Sequence, residues 1–125
     1  MEIVDEVLVA LPRGIVARRV AERSRWRAWW PDLQVTVTAD RGDEGMAWAL
    51  AGSLVGSSEV VLAIEGTGVR IHYELRADPS TPGNAREPRE LPPSPHGRRQ
   101  LAALRRRHLI AWRRAVWALA DELEP

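Results

Sequence analysis

The hydrophobic pattern of this chain changes period twice, and that change constrains the fold more than any other feature. Val69, Ile71, Tyr73 and Leu75 alternate with Arg70, His72, Glu74 and Arg76. Leu33, Val35 and Val37 alternate in the same way with Gln34, Thr36 and Thr38, and Met46, Trp48 and Leu50 with Ala47, Ala49 and Ala51. A period of two makes one sheet face apolar and the other polar. Beyond residue 97 the period returns to that of a helix, with Leu101, Leu104, His108, Trp112, Ala115 and Leu119 in one stripe. Strands gathered together before one long helix, predicted over 98–123, imply an α+β sandwich of two layers.

The remaining segments fit that frame. Residues 2–10, "EIVDEVLVA", read as an opening strand bounded by Pro12. Ile15, Val16, Arg19, Val20 and Arg23 keep helical spacing, and Ser24 is placed to cap a second short helix over 25–30. Pro31 ends that helix, because the residue before a proline disfavours the α region. A third strand follows the breaks at Gly52 and Gly56, and "GTG" at 66–68 marks a hairpin. Five strands are clear. The stretch 78–97, with six prolines and no periodicity, reads as a long Pro-rich loop, with 79–95 the most mobile part of the chain.

Length and charge bound the function classes. At 125 residues one domain over 1–125 is expected. A net charge of +1 gives no field favouring nucleic acid or an anionic membrane, although every one of the 18 basic residues is arginine. Without cysteine there is no disulfide, thiolate nucleophile or cysteine metal site. The acidic start "MEIVDEV" is unlike a signal peptide, and no window approaches the ~20 apolar residues that span a bilayer. The expectation is a cytoplasmic protein with no cofactor.

The order of elements, "WRAWWPDLQV" at the helix-to-strand corner, and Gly45, Trp48, Gly52, Gly56 and Glu59 in the strand block resemble the START-like (SRPBCC) superfamily. That superfamily includes polyketide cyclase/dehydrase and lipid-transport proteins. The resemblance covers nearly the whole chain and implies a helix-grip fold, in which a curved antiparallel sheet wraps the C-terminal helix around an apolar cavity. Such proteins usually have six or seven strands, so five strands suggest a short sheet.

Three of the six tryptophans, Trp26, Trp29 and Trp30, stand just before the first strand of the run. Their reading is a plug over the open end of the sheet, with Trp29 partly exposed. Trp30, Trp48, Tyr73, Leu75, His108 and Trp112 are the expected lining of the cavity. For catalysis the candidates are His108, on the inward stripe of the last helix, the strand carboxylate Glu59, and Tyr73. An imidazole with a pKa near 6.5 suits proton transfer, as does a carboxylate raised by an apolar cavity. Of the adjacent Asp5 and Glu6, one must face inward, and an arginine is its expected partner. His72 belongs on the polar strand face and His96 in the loop, so the three histidines have no metal-ligand spacing.

Seven arginines on the last helix prompt a nucleic-acid test. They wrap the outer face without forming a base-reading stripe, and Asp121, Glu122 and Glu124 balance them. Ile110 and Trp117 fall opposite the stripe, which leaves more apolar surface than one core contact needs.

Two functions follow. One is binding of an apolar or aromatic small molecule, lipid- or polyketide-like, with possible cyclase/dehydrase chemistry. The other is a non-catalytic interaction module in which Ile110, Trp117 and the Pro-rich arm make a homodimer or partner surface. Cavity volume discriminates them: about 300 Å³ or more suits an ordinary ligand site, and a filled core suits the interaction module.

Overall fold

A computed structural model describes residues 1–123; Glu124 lies outside them. The elements run β1 (Glu2–Val9), α1 (Arg13–Val20), α2 (Arg23–Trp29), β2 (Leu33–Asp40), β3 (Gly45–Gly52), β4 (Leu54–Glu65), β5 (Gly68–Thr81), β6 (Asn84–Pro88) and α3 (Pro95–Leu123). The sheet is antiparallel in the order β1-β5-β4-β3-β2, with β6 added beside β5. This is the helix-grip arrangement, α3 lying against the apolar face of the sheet.

The alternation sets which side chains face α3. Register places Val37, Trp48, Ser58, Leu75 and Ile3 in one row across the strands, and Met46, Val60, Tyr73 and Asp5 in the next. All but the half-buried Val37 are buried. From the helix, His108, Trp112, Ala115 and Leu119 are buried against them, with Leu104 half-buried at the end of the stripe.

The Pro-rich stretch is more ordered than its composition implies. β5 continues through Pro79 to Thr81, Gly83 turns the chain with φ +80°, and β6 returns along it, so only residues 89–94 join it to the helix. Proline lacks the N–H donor, but its carbonyl still accepts: Pro79 O takes the Arg89 N–H at 2.7 Å. The sheet therefore has six strands rather than five.

Two helix starts also differ from expectation. α2 begins at Arg23, with Glu22 as the cap residue between Arg19 and Arg25, which it meets at 2.8 Å each, and Ser24 lies inside the helix. α3 begins at Pro95, three residues early. Proline is tolerated in a first turn, and the Ser94 hydroxyl accepts the Gly97 N–H at 3.1 Å.

Candidate functional site

The site grows from the corner that Pro31 imposes. Trp30 leaves α2 with a non-helical backbone, φ −132° and ψ 72°, still donating its N–H to Trp26 O, and its carbonyl accepts from Leu33 N. Those bonds turn its indole into the sandwich, where it is 2% exposed. Trp26 is fixed separately, its indole N–H donating to Val20 O at 2.7 Å, which ties the end of α1 to α2. Trp29 is half-buried beside it. Trp26 and Trp30 are thus buried at the corner while Trp29 keeps partial exposure.

Behind the corner the aromatic rings pack on one another. Trp48 meets Trp26 and Trp30 edge to face at 5.5 and 5.6 Å, and Tyr73 stacks on Trp112 at 4.1 Å. Trp30 lies nearly parallel to His108 at 6.1 Å. Edge-to-face and offset stacking at these separations each contribute about 0.5–1.5 kcal/mol beyond burial.

Within that cluster Tyr73 and His108 form a hydrogen-bonded pair, Oη to Nε2 at 2.7 Å. Burial pushes the phenol well above its usual range, an effect the nearby Ser58 hydroxyl opposes without forming a hydrogen bond of good geometry. Burial also lowers the His108 pKa to about 4, against a weaker upward pull from Asp32. Both groups are neutral at pH 7, so the pair shares one hydrogen bond between two uncharged partners.

One cavity, of about 160 Å³, opens beside the pair between the corner, the start of β4 and α3. Its apolar wall comes from Trp29, Trp30, Leu33, Leu54, Leu104 and Ala111, and His108 lines it too. Asp32, Ser53 and Arg107 form its polar side: Ser53 Oγ donates to Asp32 Oδ2 at 2.6 Å, and Arg107 Nη2 reaches the same oxygen at 3.3 Å.

Of the six residues expected to line a cavity, Trp30 and His108 do so. Trp48, Tyr73, Leu75 and Trp112 lie in the packed core behind it, because the indoles interlock and fill the volume that a wider cavity would need. Sequence reasoning missed Trp29 as a wall and the Asp32–Ser53–Arg107 group altogether. Only the sequence neighbours of Pro31 and His108 hinted at Asp32 and Arg107, and nothing local pointed to Ser53.

The other candidates lie elsewhere. Glu59 is on the outer sheet face, paired with Arg41 at 3.3 Å, and does not reach the cavity. Asp5 is the inward carboxylate, 9% exposed, held by Arg113 of α3 at 3.0 and 3.3 Å. Glu6 faces outward and joins Glu74 on the His72 imidazole, at 3.1 and 3.2 Å. His96 is in the first turn of α3. Among the described residues no group of histidine and acidic side chains could hold a metal ion, and no helix is long and apolar enough to cross a membrane.

No known family profile and no curated protein matches the chain. Solved structures do. The chain is similar to TTHA0849 from Thermus thermophilus, at 12% identity and TM-score 0.61 over 100% of both chains. It is similar to the Aha1 dimer from Colwellia psychrerythraea, at 12% identity and TM-score 0.62, covering 99% of this chain and 96% of that one. The Zhui aromatase/cyclase from Streptomyces sp. R1128 matches at 14% identity and TM-score 0.52, over 97% and 93%. At such identities the likeness is one of fold.

Proposed function

We propose that this protein binds a small apolar molecule, about one aromatic ring in size, in the cavity between the Trp29–Leu33 corner and α3. The observation that carries the reading is a 160 Å³ space with an apolar wall and the His108–Tyr73 pair at its side. An apolar cavity of about 150 Å³ is enough for benzene. The volume is below the ~300 Å³ of ordinary ligand sites, so a lipid or polyketide would insert one ring or one chain end. With Nε2 engaged by Tyr73, Nδ1 is the imidazole nitrogen left for a ligand.

Acid–base chemistry at this site would run through the same pair. One structural neighbour is an aromatase/cyclase; in this chain the group beside the cavity that could carry a proton is His108, next to the Tyr73 hydroxyl, whereas Glu59 lies on the outer face with Arg41.

Titration with benzene, phenol and indole, followed by native mass spectrometry and tryptophan fluorescence, tests the reading. Ala111→Phe, which fills the cavity from its helix wall, should abolish binding and leave stability nearly unchanged. Trp30→Ala should weaken binding and also cost roughly 3–5 kcal/mol, as large core truncations do. Unchanged affinity in both variants would reduce the corner to a plug.

A second reading, the interaction module, rests on Ile110 and Trp117, 43% and 57% exposed on the outer side of α3. A second copy of the chain is its natural partner.

A further inference from the structure

The interaction reading is deepened by the order of side chains along the outer face of α3. At 100° per residue, Arg106, Ile110, Trp117 and Asp121 lie within about 60° of arc, and all four are exposed. We infer that two copies pair through this face with their α3 helices antiparallel, in the one register that sets Ile110 of each against Trp117 of the other.

A two-fold axis that exchanges positions 110 and 117 also exchanges 106 and 121. The same register therefore brings Arg106 of each copy to Asp121 of its partner. Within one chain those two are about 22 Å apart along the helix and cannot meet. Among the described residues neither is in an ion pair, whereas Arg107 and Arg113 are held by Asp32 and Asp5. An isologous contact is self-complementary by construction: each apolar residue finds the other, and each charge its opposite. A parallel pairing would instead set Arg106 on Arg106 and Asp121 on Asp121. The register has an unfavourable element, since Arg113 and Arg114 flank the axis and each faces an arginine of the other copy; Arg113 is already paired with Asp5, which leaves Arg114 as the uncompensated charge. The interface is narrow, so the dimer belongs to the weak class, below about 1,200 Å².

Sedimentation equilibrium of the whole chain over a wide concentration range tests this. The wild type should show a concentration-dependent dimer. Arg106→Asp should raise the dissociation constant by about tenfold or more through like charges, and so should Asp121→Arg. The double variant Arg106→Asp/Asp121→Arg should return it to near the wild-type value. Trp117→Ser should dissociate the dimer, and Arg114→Ala should tighten it. A wild type that stays monomeric at every concentration, including one that instead sediments with phosphatidylglycerol vesicles, would overturn the interaction reading itself. A dimer indifferent to Trp117→Ser, or charge reversals that do not compensate, would overturn only this register.

Discussion

Lowering the pH should destabilise this protein through one buried residue. His108 is 6% exposed and its pKa falls from 6.5 to about 4 on folding, because burial disfavours the imidazolium. Below pH 6.5 the unfolded chain takes up a proton there that the folded chain refuses until about pH 4. Folding stability is thus lost as pH falls through that window. At pH 5 the linkage amounts to about 2 kcal/mol relative to pH 7. His72 works in the opposite direction: Glu74 first, then Glu6, accept hydrogen bonds from its imidazolium and raise its pKa. Its contribution is reduced by solvent, as its side chain is 28% exposed. Comparison with His108→Gln removes that term, since both proteins carry His72, and glutamine still offers an acceptor to the Tyr73 hydroxyl. Urea unfolding at pH 7, 6 and 5, extrapolated linearly, should show the wild type losing about 2 kcal/mol more than the variant. Parallel stability curves for the two proteins would refute the buried neutral imidazole.

Two further substitutions test the frame around the site. Gly45 has φ +124°, and an added Cβ would run into the Val60 carbonyl, so Gly45→Ala should cost at least about 2 kcal/mol in urea unfolding. Gly42, with φ +59° and open space around it, is the control at about 1 kcal/mol; equal costs would show that the β3–β4 approach is not tight. Asp5→Asn should cost roughly 1–3 kcal/mol by loosening the contact between β1 and α3. A double-mutant cycle with Arg113→Ala should give a coupling near 1 kcal/mol, and no coupling would mean the pair contributes nothing.

The local pattern of the sequence was enough for the architecture. Alternation in β2, β3 and β5 and the α3 stripe identify which faces are apolar, and two apolar faces of matching length have little choice but to cover each other. Pro31 marks the corner, since it disfavours a helical conformation at the preceding residue, and an arginine could be expected for whichever of Asp5 and Glu6 faced inward, because a buried carboxylate needs a partner. The β5–β6 hairpin was not legible, because its prolines and lack of periodicity mask the strand signal, although Pro79 can still accept a hydrogen bond through its carbonyl. The cavity was not legible either. Its volume is what remains after Trp30, Trp48, Tyr73 and Trp112 have packed, and ring packing depends on register across four elements that are distant in sequence. Asp32, Ser53 and Arg107 meet for the same reason: three ordinary polar residues, separated by 21 and by 75 positions from Asp32, become one group only when β2, β4 and α3 are assembled.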